Sequence, residues 1–104
     1  MEIIQFREYE QWINKLRDKQ AVFRIDSRIL KIQRYGNLLG DFKSVGEGVY
    51  ELRFHFGPGY RVYVSPEDGN LLLLLLSGGD KSTQQKDIEQ AKSIAKEWRK
   101  QNGK

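Results

Sequence analysis

The chain has 104 residues, 38% of them hydrophobic and 12% aromatic, enough for one folded domain spanning residues 1–104 and too apolar for a disordered segment. It has no cysteine and a single histidine, which excludes disulfides and Cys-based metal sites and argues against a His-rich zinc site. The formal charge of +4 suits nucleic acid or an acidic protein partner.

In chain order, residues 2–5 are a short apolar run with the look of a strand. Tyr9, Trp12, Ile13 and Leu16 then recur at helical spacing, with Glu8 and Glu10 at the positive end of the predicted helix. Asp18-Lys-Gln20 breaks the pattern. Val22, Ile25, Ile29 and Ile32 predict a second helix with one buried stripe, which Gly36 can end in a left-handed conformation. Two helices joined this tightly form a helical hairpin. Arg24, Arg28 and Lys31 mark the side of the second helix away from that stripe, either as a solvated basic face or as a patch for RNA backbone or an acidic partner segment.

From residue 41 the period changes to two. Phe42–Val45 is a candidate strand and Gly46-Glu-Gly48 a turn. Tyr50, Leu52, Phe54 and Phe56 alternate with Val49, Glu51, Arg53 and His55. After Gly57-Pro-Gly59, Tyr60, Val62 and Val64 alternate with Arg61, Tyr63 and Ser65. The predicted hairpin therefore has one apolar face and one that gathers a carboxylate, an imidazole, a phenol and two guanidiniums. Pro66-Glu-Asp-Gly69 reads as a turn. Leu71–Leu76, apolar on both faces and flanked by turns, predicts a central buried strand. Ser77-Gly-Gly-Asp80 is expected to end the sheet. Ser82-Thr-Gln-Gln85 has the capping-box pattern, and Ile88, Ala91, Ile94, Ala95 and Trp98 supply the stripe of a third helix. The order is a short strand, a helical hairpin, an antiparallel meander and a C-terminal helix, a small α+β domain. The N-terminus lacks a basic leader with a long apolar run, and the longest apolar run falls far short of the ~20 residues a membrane helix needs. A cytoplasmic protein with no membrane partner is expected.

The charge is uneven. Residues 21–43 carry five basic and two acidic groups, residues 44–79 two basic and four acidic, and residues 80–104 seven basic and four acidic. The excess lies outside the predicted sheet, so Arg53 and Arg61 within it are local features that apolar packing does not require.

Three segments together carry a family resemblance: Gly36-Asn-Leu-Leu-Gly-Asp-Phe-Lys-Ser-Val-Gly-Glu-Gly-Val-Tyr-Glu-Leu-Arg53, Gly57-Pro-Gly-Tyr-Arg-Val-Tyr63 and Ser77-Gly-Gly-Asp-Lys-Ser-Thr-Gln84. They resemble the RelE/HigB superfamily of bacterial toxins, in particular its phage-associated addiction-module killer branch. The resemblance runs over nearly the whole chain. It implies the toxin of a type II toxin–antitoxin pair that enters the ribosomal A site and cuts messenger RNA without a metal or other cofactor. It also implies a cognate antitoxin, often of helix-turn-helix type, through which the complex meets operator DNA. ParE-type relatives share the fold and poison gyrase instead, and a degenerate member would bind antitoxin alone.

Metal-free RNA cleavage uses the 2′-hydroxyl as nucleophile and needs a base, cations for the phosphorane and an acid for the leaving oxygen. Arg61 falls where RelE-like toxins place a phosphate-binding arginine, and its planar fork suits two phosphate oxygens. Arg53 sits where relatives are typically basic. Lys81 does too, and it precedes a helix N-terminus, which attracts anions. For the base, Glu51 is the first candidate, standing where RelE has a lysine. His55 is the alternative, or the acid, because imidazole exchanges protons near neutrality. Tyr63 could stack on a base or donate a hydrogen bond. The competing role for Glu51 is a cross-strand ion pair with an arginine.

Overall fold

The computed structural model describes residues 1–103. Five strands form one sheet in the order β1-β5-β4-β3-β2, where β1 is Glu2–Gln5, β2 Phe42–Gly46, β3 Val49–Arg53, β4 Tyr60–Glu67 and β5 Leu72–Asp80. β2 to β5 make the antiparallel meander, and β1 adds to β5 in parallel, Ile3 opposite Leu73. Helices α1 (Arg7–Lys15) and α2 (Lys19–Tyr35) cover one face; α3 (Gln84–Gln101) covers the other.

The leucine run shows why three layers form. Leu73 and Leu75 pack with Ile25, Ile32 and Val62 on the hairpin side, while Leu74 and Leu76 pack with Tyr63, Ala91 and Ala95 under α3. All four are fully buried, each worth about 1.5–3 kcal/mol on removal from water. Asp18, which interrupts the first helical pattern, caps α2 by accepting from the Ala21 N–H at 3.1 Å. The buried stripe of α2 is Ala21, Ile25, Ile29 and Ile32; Val22 is only half-buried. Gly36, at φ +76°, ends the helix as expected.

Several expected boundaries move: β3 stops at Arg53, before His55 and Phe56, and β5 starts at Leu72, leaving Leu71 exposed. Pro66 and Glu67 belong to β4, and the reversal is made by Asp68, Gly69 and Asn70, all at positive φ. Proline is tolerated there because Pro66 lies beyond the last β3–β4 pair, with only β5 beside it. Ser77-Gly-Gly-Asp80 continues β5 rather than ending it. A bulge sits here: Val64 faces Leu75 but Tyr63 faces Ser77, so Leu76 is the extra residue. The bulge resets the alternation, so that Gly78 faces Trp12 and Gly79 faces Asp87. A Cβ on Gly78 would lie 2.2 Å from the indole, and one on Gly79 1.9 Å from the carboxylate, so both neighbours need the bare backbone. The capping box is not made. The Asp80 carboxylate accepts from the Ser82 N–H at 2.8 Å, a short 3₁₀ turn spans Lys81–Thr83, and α3 starts at Gln84.

Candidate functional site

The polar face of the β3–β4 hairpin gathers Glu51, Arg53, Arg61 and Tyr63 as predicted, but β3 ends at Arg53 and His55 lies off the sheet beyond it. Glu51 stands opposite Tyr63 and Arg53 opposite Arg61, and Gly79 of β5 completes the second row. Because α3 lies over this face, its polar groups are more enclosed than the sequence suggests. Glu51 and Tyr63 are fully buried, and Arg61 is 4% exposed.

Glu51 is the centre of the cluster. Its Oε1 lies 3.0 Å from Arg53 Nε and 3.8 Å from Arg61 Nε. Its Oε2 accepts from the Tyr63 hydroxyl at 3.1 Å and from Gln84 Nε2, on the first turn of α3, at 2.7 Å. A carboxylate so surrounded neutralises two guanidiniums and ties α3 to the sheet; it cannot reach a 2′-hydroxyl. Glu51 as general base is thus corrected, and the competing ion-pair role is the one observed. Tyr63 is corrected likewise. Burial above all, then the Glu51 charge, pushes its phenol pKa up, so it remains a protonated donor and is closed to a stacking base.

Arg61 is not an open fork. Its Nη1 donates to the Gly59 and Tyr60 carbonyls, each at 3.1 Å, and its Nε is buried facing Glu51 without a hydrogen bond. Arg61 nevertheless lines a cleft of ≈ 330 Å³ together with His55, the Phe56–Gly59 turn and Lys81. Gly59 is needed at φ +79°, and the Lys81 stem packs where its Cβ would be, 3.2 Å from Cγ and Cδ. This contact sets Lys81 on the rim, exposed. Arg53 is half-buried one strand away.

His55 lies just beyond β3, exposed, with Nε2 2.5 Å from Asp41 Oδ2. The His55 hydrogen bond is the main reason the Asp41 carboxyl is held below the usual carboxylate range. The carboxylate fixes the ring and leaves Nδ1 for another partner. Asp41, in Gly40-Asp-Phe42, carries no signal of its role in the sequence; only the fold brings it to His55. Gln84 carries none either, reading there as part of a cap.

The basic residues of α2 divide. Arg28 donates from Nε to Leu39 O at 2.8 Å, from Nη1 to Arg53 O at 2.6 Å and from Nη2 to Asp41 O at 2.7 Å, and it stacks over Phe54. All its nitrogens are used in latching α2 to the 39–41 loop and the end of β3, so Arg28 is corrected from an RNA contact to an internal clamp. Gly40, at φ +82°, lets it pass, since a Cβ there would sit 2.9 Å from the guanidinium carbon. Arg24 lies over Phe56 at 4.7 Å, and Lys31 is exposed.

No protein-family model matches the chain. It is 49% identical over 89 residues to an uncharacterized protein of Haemophilus influenzae, a match covering 86% of this chain and 87% of that one. The two belong to one family. Among solved structures, the chain is similar to the Escherichia coli toxin RelE, a double arginine-to-alanine mutant in its free state, with a TM-score of 0.69 over 89% of this chain and 96% of that one. Sequence identity to it is 13%, so the likeness is one of fold. The fold is RelE-like, as the resemblance implies. No described helix is long and apolar enough to cross a membrane.

Proposed function

We propose that this protein is the toxin of a type II toxin–antitoxin pair and cuts messenger RNA on the ribosome at the His55–Arg61–Lys81 cleft. The observation that carries the reading is the meeting of a carboxylate-oriented His55, Arg61 and Lys81, from three separate stretches of chain, around a single opening. The RelE-like shape supports it. In the reaction, His55 takes the 2′-hydroxyl proton as the O2′–P bond forms. Arg61, with Arg53 beside it on the neighbouring strand, offsets the charge on the phosphorane. The P–O5′ bond breaks with Lys81 supplying the proton to the leaving oxygen. Asp41 positions His55, and Glu51 holds the two arginines together by pairing with both. The partners of this reading are a cognate antitoxin, messenger RNA on the ribosome, and operator DNA through the antitoxin.

A second reading rests on the same Glu51. With both guanidiniums drawn to one carboxylate, the protein would bind antitoxin, or gyrase, without nuclease chemistry. Expression in cells with 5′-end mapping of messages separates them. The nuclease reading expects growth arrest with new message ends, both lost in folded His55→Gln and Lys81→Ala variants, with rate losses on the order of 10²–10⁴ for the histidine. Arrest with intact messages and inhibited supercoiling supports gyrase; no arrest, with tight antitoxin binding, supports the degenerate member.

A further inference from the structure

The His55–Asp41 pair stands where the β2–β3 ladder has run out. The last pair of that ladder is Phe42 opposite Leu52, so both residues lie beyond it. The His55 side chain is 67% exposed and that of Asp41 45%. An ion pair this exposed is too weak to hold two side chains in one geometry. Its geometry has to come from the two backbone segments that carry it, residues 39–41 and 53–55. One side chain bonds to both. Arg28 Nη2 donates to the Asp41 carbonyl at 2.7 Å and Nη1 to the Arg53 carbonyl at 2.6 Å, while Nε holds Leu39 O at 2.8 Å. The Asp41 carbonyl also accepts from the Arg53 N–H at 2.9 Å, so the guanidinium closes a small ring of bonds between the segments. The guanidinium is itself confined, 4.8 Å over the ring of Phe54, the buried residue that leads from Arg53 to His55. Its stem rises from α2, which Ile25, Ile29 and Ile32 anchor in the core.

We propose that Arg28 is a positioning residue for the cleft: through the Asp41 and Arg53 carbonyls it sets the two segments so that Asp41 Oδ2 meets His55 Nε2 and the ring presents Nδ1. The inference rests on the nuclease reading for the use made of Nδ1, and on geometry alone for the positioning. The fork matters here as much as the charge. A planar guanidinium meets three carbonyls in fixed directions, whereas an ammonium on a flexible stem does not. A latch that merely stabilised α2 would make the same bonds, and the two roles part at the Asp41 carboxyl. That group is held below the usual carboxylate range first by its hydrogen bond to His55, with the His55, Arg53 and Arg28 charges adding to it. Arg28→Lys keeps the positive charge and removes the fork, so a change at Asp41 in that variant reports lost geometry.

The test is an NMR titration of the Asp41 side-chain carboxyl carbon in the whole protein, with melting curves to verify that each variant is folded. In Arg28→Lys the Asp41 carboxyl is expected to titrate at higher pH than in wild type, as it should in His55→Ala, and the double variant should go little further than His55→Ala. Gly40→Ala is the second variant, for use if the lysine chain does not fold. Its Cβ would lie 2.9 Å from the guanidinium carbon, so it displaces Arg28 with the charge retained and should give the same rise. In message cleavage, Arg28→Lys should lower kcat about tenfold to a hundredfold at unchanged KM, an effect that vanishes in an Asp41→Asn background. The proposal is overturned if Asp41 titrates as in wild type in the folded variants, which leaves Arg28 a structural latch, or if the Arg28→Lys and Asp41→Asn losses in kcat multiply. The two failures are separable. An unmoved Asp41 titration in a protein that cuts RNA through His55 removes the positioning role and leaves the nuclease reading. A moved titration in a protein that cuts no message upholds the positioning of His55 and removes that reading.

Discussion

Replacing Glu51 by alanine removes four contacts at one stroke. The Arg61 guanidinium, 5% exposed in its side chain, loses the carboxylate it faces at 3.8 Å. Arg53 loses its partner at 3.0 Å, and the Tyr63 hydroxyl and Gln84 amide lose their acceptor. Breaking a buried ion pair from one side costs about 3–5 kcal/mol because the remaining charge stays in a poor solvent. For a domain whose total stability is of the order of 5–15 kcal/mol, that is a large share. In urea, with a slope near ~2 kcal/mol per molar, the midpoint should fall by roughly 1.5–2.5 M. Glu51→Gln keeps the shape and the acceptor for Tyr63 and Gln84 and should lie between alanine and wild type. The reasoning is refuted if alanine stays within ~0.5 kcal/mol of wild type. It is also refuted if glutamine abolishes RNA cleavage at an unchanged midpoint, which would make Glu51 a proton-transfer group after all.

Further consequences can be checked in the same way. Arg28→Ala strands three carbonyls and is expected to cost about 2–4 kcal/mol in denaturant melts, with Arg28→Lys recovering a minority of it. Gly79→Ala drives a methyl into the Asp87 carboxylate and should lower the thermal midpoint strongly; Asp87→Ala, which removes the obstacle, should restore part of the loss, and additive effects would contradict the contact. Burial raises the Asp87 carboxyl above its ordinary value, against the lowering effect of the Thr83 hydroxyl bond. Its stabilising protonated form is therefore complete below the unfolded carboxyl value of about 3.9, and its contribution is lost as pH rises through the raised folded value. Melting curves across that window should show a decline that Asp87→Asn abolishes, and an unchanged slope in the variant would reject the assignment.

The element types were legible because each follows from a local period. Leu71–Leu76, apolar on both faces, announced a strand covered on two sides; that holds for Leu73–Leu76, while Leu71 stands exposed before the strand begins. The alternation of Tyr50, Leu52 and Phe54 with Glu51 and Arg53 placed both arginines on one face, and the register makes them direct neighbours. What was not legible depends on contacts between distant segments. The need for bare backbone at Gly78 and Gly79 comes from Trp12 and Asp87, on two different helices. The enclosure of Arg61 and Glu51 comes from where α3 crosses the sheet, which no period encodes. Arg28 looked like a surface cation because its three acceptors are loop carbonyls from residues 39, 41 and 53. His55 looked solitary until Asp41 folded beside it.

The central claim concerns the cleft, and product chemistry tests it most directly. Purified protein is incubated with ribosomes stalled on a defined message, and the new 3′ ends are identified. Attack by the 2′-hydroxyl predicts 2′,3′-cyclic phosphate ends at a rate lost in His55→Gln and retained, relative to folded protein, in Glu51→Gln. An intact message from folded wild-type protein, or cleavage indifferent to His55, would contradict the account.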